Sequence, residues 1–319
     1  MEYRSLGRSG LRVSSIGLGT MAFGYTADES TSFAIMDAAI DAGIIHFDTA
    51  DVYGGPQTAD MAQGYGISEE VIGRWLQQNG HRDDIVLATK VYQPMGLGPN
   101  DRRLSAYHLR RACEASLRRL QTDHIDLYQM HHVDRSTPWE EIWQAMEQLV
   151  REGKISYVGG SNFAAWDIAL GQSAASLRHF VGLTSEQSLY NLAVRTIELE
   201  VIPAIRALGV GLIAYSPLHA GLLAGAVEHG SEDPRLGAVR HQVAAYEDVC
   251  RELHARPAEV ALAWLLNNPD VSTAIIGPRS MGDLRTSLGA LDVRLGPETL
   301  KELDQIWPGP GEAPQAYAW

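Results

Sequence analysis

The chain has 319 residues, of which 45% are hydrophobic and 20% charged, a balance that supports a large packed core and excludes a disordered polypeptide. Lys and Arg number 26 against 39 Asp and Glu, a formal charge of −13, which argues against nucleic acid or an anionic membrane surface as the main partner. Two cysteines, Cys113 and Cys250, cannot staple a fold of this size and suit a reducing cytoplasm. Met1-Glu2-Tyr3-Arg4 opens polar without the apolar stretch of a signal peptide. No apolar run approaches the ~20 residues of a membrane-spanning helix.

In chain order, Tyr3 to Val13 with a Gly-Arg-Ser-Gly turn at 7–10 reads as a small hairpin. Short apolar runs then predict strands at 15–19, 44–48, 85–89, 125–130, 155–159, 183–187, 210–215 and 271–276, with stretches of helical period between them. In the segment 105–120, Leu109, Cys113, Ser116, Leu117 and Leu120 fall on one helical face. A further helix is expected to start with Thr137 as cap, Pro138 in the first position and Glu140 closing a capping box. Eight strand–helix alternations predict an α/β fold, a (β/α)₈ TIM barrel, with the hairpin at its bottom and two extra helices at 242–254 and 298–307. No linker or low-complexity tract divides the sequence, so one domain, 1–319, is expected. A doubly wound sheet competes, but Gly17-Leu18-Gly19-Thr20-Met21-Ala22 is a poor match to a phosphate-binding glycine loop.

Side chains of a barrel strand alternate between lumen and helix layer, and chemistry gathers at the C-terminal mouth. Ile44, His46 and Asp48 share one parity, as do Val86, Ala88 and Lys90, and Ile125, Leu127, Gln129 and His131. Three neighbouring strands therefore bring Asp48, Lys90 and His131 to one side of the mouth, with Tyr53 five residues beyond Asp48 in a glycine-rich loop. A tyrosine titrates near ~10. A neighbouring ammonium lowers that value, a buried carboxylate keeps the ammonium charged, and a histidine can hydrogen-bond a carbonyl oxygen. By the same parity His132 points away and reads as structural, and His46 reads as core. Trp75, Trp143 and Trp264 read as packing against the barrel, and Arg195 with Glu198 as a surface or capping pair.

Seven stretches in order, Phe47-Asp48-Thr49-Ala50-Asp51-Val52-Tyr53-Gly54, Ala88-Thr89-Lys90, Asp126-Leu127-Tyr128-Gln129-Met130-His131, Gly160-Ser161-Asn162-Phe163, Gln187-Ser188-Leu189-Tyr190-Asn191, Tyr215-Ser216-Pro217-Leu218 and Ile276-Gly277-Pro278-Arg279, resemble the aldo-keto reductase superfamily over nearly the whole chain. The resemblance implies reduction of an aldehyde or ketone by NADPH, with NADH the weaker alternative. It implies a catalytic tetrad of Asp48, Tyr53, Lys90 and His131 with Tyr53 as proton donor. It also implies nicotinamide contacts from Ser161, Asn162, Gln187 and Tyr215, pyrophosphate contacts from Ser216 and Leu218, and an adenosine 2′-phosphate facing Arg279 beyond Gly277. No metal is implied. Relatives often carry an arginine where this chain has Ala220, and Gln and Glu-Asn where it has Asp283, Thr286 and Ser287. Gly55 to Gly66 is an insertion following Tyr53, expected to overhang the mouth as a partly apolar, mobile lid carrying Met61 and Tyr65. The tail from Tyr317 to Trp319 is expected to share in lining the site.

Three other functions compete. His46, Asp48, His131 and Asp134 suggest a metal-dependent hydrolase, but the fifth, sixth and eighth strands end without histidines to complete such a site. Some relatives are cofactor-binding subunits of potassium channels, a non-catalytic alternative. Others reduce nucleotide-bound keto-deoxysugars. The sequence names neither the carbonyl substrate nor the oligomeric state.

Overall fold

The structure, a computed structural model, describes residues 1–58 and 60–318. The chain opens with an antiparallel hairpin, β1 (Tyr3–Ser5) and β2 (Arg12–Ser14). Then come β3 (Ile16–Gly19), β4 (His46–Asp48), β5 (Val86–Val91), β6 (Ile125–Met130), β7 (Ile155–Ser161), β8 (Leu183–Leu189), β9 (Gly211–Tyr215) and β10 (Val271–Ile276). These eight run parallel and close in the order β10-β3-β4-β5-β6-β7-β8-β9, the expected (β/α)₈ barrel. Around it lie α1 (Glu29–Asp41), α2 (Ile67–Asn79), α3 (Ala106–Leu120), α4 (Trp139–Arg151), α5 (Ala165–Leu177) and α6 (Val201–Leu208). The series continues with α7 (Leu236–Glu252), α8 (Pro257–Asn267), α9 (Met281–Gly289), α10 (Pro297–Ile306) and α11 (Gln315–Ala318).

The two added helices are α7 and α10. Tyr246 of α7 meets Trp307, just past α10, edge-to-face at 5.5 Å, and Gln242 Nε2 donates to Ile306 O at 3.2 Å. The α7 helix begins six residues earlier than expected, and the four-residue α11 was not anticipated. The N-terminal hairpin fills one end of the lumen, where Leu6 and Val13 pack with Ala88, Leu127, Ile213 and Ile275. The approach is so close that a Cβ at Gly7, where φ is +57°, would lie 2.5 Å from Gly209 O; only glycine tolerates that contact and that backbone.

The buried face of α3 contains Leu109, Cys113, Ser116, Leu117 and Leu120, as its periodicity predicts. The start of α4 differs from expectation. Pro138 is the cap residue rather than the first helical one, and no side chain caps it. Thr137 Oγ1 instead donates to Asp134 Oδ2 at 2.8 Å, because Asp134 gathers the preceding loop by also accepting from Leu104 N and Ser136 N. Arg195 and Glu198 also differ. Their 2.8 Å pair is largely buried, and Arg195 reaches on to Asp304 and Trp307 O, tying α10 to the barrel.

Candidate active site

Alternation on the strands aims the functional side chains inward because their neighbours are anchored outward. On β4, Phe47 stacks on Trp75 of α2 at 5.6 Å, which sends His46 and Asp48 into the lumen. On β5, Thr89 Oγ1 donates to the buried Glu69 of α2 at 2.6 Å, which turns Ala88 and Lys90 inward. On β6, Tyr128 packs under α3 with its hydroxyl donating to Leu109 O at 3.5 Å, so Leu127 and Gln129 face the lumen.

The result is a buried polar cluster at the mouth. Lys90 Nζ donates to Asp48 Oδ1 at 2.5 Å, to Thr49 O at 2.9 Å and to the Tyr53 hydroxyl at 3.4 Å. Asp48 Oδ2 accepts from Gln129 Nε2 at 2.9 Å and Gln187 Nε2 at 2.8 Å. Desolvation alone would lower the Lys90 pKa, but Asp48 and Tyr53 together carry it above its ordinary value, so the side chain is an ammonium. Tyr53 departs from the sequence-based expectation. Burial raises its pKa by more than Lys90 lowers it, so the phenol is protonated at neutral pH, the form a proton donor needs.

His131 follows β6 at the rim and meets Tyr53 edge-on, with ring centroids 5.8 Å apart. Burial, then Lys90 and His132, hold its pKa well below the usual imidazole range. Its buried Nδ1 has no hydrogen-bond partner among the described residues, so the tautomer with its proton on Nε2 avoids leaving a buried N–H unsatisfied. His132 is not turned away: it stacks on His131 at 5.3 Å and 12° and lines the same cleft. Tyr92 displaces it from strict alternation, packing against the His132 ring at 5.3 Å from a backbone with φ of 156°. His46 is fully buried with both ring nitrogens unpartnered among the described residues, and burial holds its pKa down at about 4; it is a neutral core residue.

The cleft, about 440 Å³, is lined by Asp48, Tyr53, His131, Ser161, Asn162, Gln187, Tyr215, Ser216 and Gly277. Asn162 bridges the floor, donating from Nδ2 to Ser161 Oγ at 2.9 Å and His131 O at 3.2 Å and accepting from the Tyr215 hydroxyl at 2.8 Å. Because Gln187 Nε2 donates to Asp48 Oδ2 at 2.8 Å and to Gln129 Oε1 at 3.3 Å, its carbonyl oxygen is the group left for a ligand amide. Under this floor Glu186 is fully buried, takes hydrogen bonds from Phe163 N and Ser188 Oγ, and is pushed up to about 8 by burial.

A second groove of about 820 Å³ shares Met21, Ser216, Pro217, Ile276 and Gly277 with the cleft, and the two form one channel. At the junction a Cβ on Gly277 would meet nothing within 4 Å, so the channel is open there to an extended ligand. Leu218 and Arg279 line the far portion with Asp283, Thr286 and Ser287. Asp283 Oδ2 accepts from Arg279 N at 2.9 Å while Asp283 N donates to Ser280 Oγ, a reciprocal cap on α9 that directs this carboxylate to the backbone. Arg279 itself forms no ion pair among the described residues. Sequence reasoning missed Arg256, which lines the groove and donates from Nη1 to Thr286 Oγ1 at 3.0 Å. It precedes Pro257 at the start of α8, where no motif marks it.

The insertion hangs over the cleft with Gln57, Thr58 and Met61 among its lining residues. It is tethered, with Gly64 N donating to Pro94 O at 2.6 Å and Gln57 Nε2 to Val52 O at 3.3 Å. Tyr65 lies outside the cleft, its ring occupying the space a Gly55 side chain would need. Tyr317 is exposed and does not line the cleft, and Trp319 lies outside the described residues. Among the described residues no group of His, Cys, Asp and Glu side chains is arranged to hold a metal, and no helix is long and apolar enough to cross a membrane.

Residues 15–308 match the Aldo/keto reductase family. The chain is 50% identical, over the full length of both proteins, to an uncharacterized oxidoreductase, YrpG, of Bacillus subtilis. It is 32% identical to a probable voltage-gated potassium channel subunit beta of Arabidopsis thaliana, over 99% of this chain and all of that protein. The protein tas of Escherichia coli is 31% identical over 96% of this chain and 97% of its own length. With the barrel, the polar cluster at its mouth and these matches in agreement, the chain belongs to the Aldo/keto reductase family.

Proposed function

We propose that this protein reduces an aldehyde or ketone to an alcohol with NADPH, using Tyr53 as the proton donor, and that 1–319 acts as one domain in a reducing cytoplasm. Family and relatives support a carbonyl-reducing oxidoreductase. The observation that carries the finer reading is the Tyr53 hydroxyl 3.4 Å from the Lys90 ammonium, itself 2.5 Å from Asp48, at the edge of a cleft shared with His131. Ser161, Asn162 and Gln187 would hold the nicotinamide amide and Tyr215 would face its ring, and the cofactor bound there would supply the hydride. Ser216, Leu218 and Gly277 line the path to the pyrophosphate, and Arg279 faces the 2′-phosphate with Arg256 as a second guanidinium.

In this scheme His131 donates from Nε2 to the carbonyl oxygen and orients it. As negative charge develops there, Tyr53 hands over its proton and Lys90 stabilises the phenolate left behind. Asp48 keeps Lys90 charged and fixed, and Gln129 and Gln187 hold Asp48. In the reverse direction the same phenolate is the base. Reduction needs the protonated phenol, so burial of Tyr53 favours reduction at neutral pH.

The likeness to potassium channel subunits keeps a non-catalytic cofactor-binding role as the alternative. A panel of aldehydes, ketones and keto-sugars, followed by loss of nicotinamide absorbance and by stoichiometric alcohol formation, separates the two. Turnover of any member establishes the enzyme. Cofactor binding without turnover of any member establishes the alternative.

A further inference from the structure

The cleft also records the charge of what it accepts. Beyond Tyr53 and His131, the polar side chains on its outer side are Gln57, Thr58, Gln93 and His132, with Met21 and Met61 between them. Among the described residues no lysine or arginine lines the cleft. Lys90 lies beneath it, fully buried and committed to Asp48 and Thr49 O. Of the arginines in the neighbouring loops, Arg103 donates to Ser136 Oγ and Arg135 pairs with Asp167, while the exposed Arg102 does not line the cleft. His132 is held below the usual imidazole range by burial and is neutral at physiological pH. Gln57 spends its amide hydrogens on Val52 O and Gly55 O, so its carbonyl oxygen is left as an acceptor.

We infer that the cleft selects uncharged carbonyl compounds carrying hydroxyl groups and rejects those carrying a carboxylate or phosphate close to the carbonyl. The inference rests on the reductase reading of the same site. A ligand hydroxyl needs an acceptor and a donor, which two amides and a threonine hydroxyl supply. A carboxylate enclosed here gives up its hydration without meeting a cation, and a buried charge left unpaired is strongly disfavoured. The chain's charge of −13 adds long-range repulsion of anions. A nucleotide-linked sugar would bring two phosphates to the same cation-free rim.

The test uses substrates matched in shape, 4-(hydroxymethyl)benzaldehyde against 4-carboxybenzaldehyde and glyceraldehyde against glyceraldehyde 3-phosphate. The neutral member of each pair is expected to show a kcat/KM at least about 10-fold to 100-fold higher, the value of one missing charge-assisted contact. Gln93→Lys is expected to raise the carboxylate relative to its neutral partner by about 10-fold or more. Equal kcat/KM within both pairs overturns the inference. Binding is measured in parallel by calorimetry, titrating 4-(hydroxymethyl)benzyl alcohol or 4-carboxybenzyl alcohol into protein saturated with NADPH, with which neither alcohol can react. Neutral preference in binding without turnover of any aldehyde overturns the reductase reading and upholds the charge selection. Equal affinity, or binding of neither alcohol, overturns the charge selection.

Discussion

Replacing Asp48 by Asn keeps the shape of the side chain and removes its charge, and the structure sets the cost. Asp48 Oδ1 faces Lys90 Nζ at 2.5 Å, while Oδ2 accepts from both Gln129 and Gln187. An asparagine that turns its oxygen to Lys90 presents its NH₂ to two amide donors, and the opposite flip presents it to the ammonium. Neither orientation satisfies the cluster, and a wholly buried Lys90 loses its counter-charge. Breaking such a pair from one side costs ~3–5 kcal/mol, a large share of the ~5–15 kcal/mol that holds a typical protein folded. Adding Lys90→Met removes the stranded charge, so Asp48→Asn/Lys90→Met should be more stable than Asp48→Asn alone by ~1–3 kcal/mol. Urea unfolding of the cofactor-free proteins at neutral pH, followed by tryptophan fluorescence, reads both differences. A double variant less stable than Asp48→Asn would refute the reasoning, because the ammonium would then not be the source of the cost.

Glu186 gives a pH signature. Its pKa is about 8 in the folded protein against an ordinary 4.5, so between these values the folded state holds a proton that the unfolded chain has lost. Stability from this group is therefore full below pH 4.5 and is lost progressively as pH rises from there through about 8; Glu186→Gln should flatten that decline in urea midpoints measured across the window, and an unchanged slope contradicts the assignment. At the far end of the channel, Arg279→Ala should weaken NADPH by about 10-fold to 100-fold with little effect on NADH. Arg256→Ala should do the same to a smaller degree, because that guanidinium is already shared with Thr286 Oγ1; equal losses for both cofactors would place neither arginine at the 2′-phosphate. Shortening 55–66 to a tight link removes Gln57, Thr58 and Met61 from the cleft. It should change the order of preferred carbonyls while dinucleotide affinity, measured by fluorescence titration, stays within about 3-fold, since none of the described residues of the insertion lines the second groove.

The barrel was legible because its signal is local and repeated: each short apolar run marks a strand, and period two along it decides which side chains enter the lumen. Asp48, Lys90 and Gln129 follow from that parity alone. His132 did not, since the rule ends where the strand ends, and the backbone of Tyr92 and the stack with His131 then decide direction. The direction of the phenol's pKa shift was misjudged for a related reason. The charge of Lys90 is visible in the sequence, but the desolvation that outweighs it depends on how deeply the loop after β4 packs. Arg256 was invisible because it reaches the groove from a different helix, 23 residues before Arg279 in the chain.

The central claim is that Tyr53 delivers the proton to a carbonyl oxygen, and Tyr53→Phe tests it most directly. The variant keeps the ring beside His131 and loses only the hydroxyl that Lys90 reaches at 3.4 Å. Its kcat with the best aldehyde of the panel should fall by at least ~10²-fold, the ordinary contribution of a positioned general acid, while NADPH affinity in a fluorescence titration stays near that of the wild type. A variant that binds NADPH normally and turns over within a few-fold of the wild type contradicts the account.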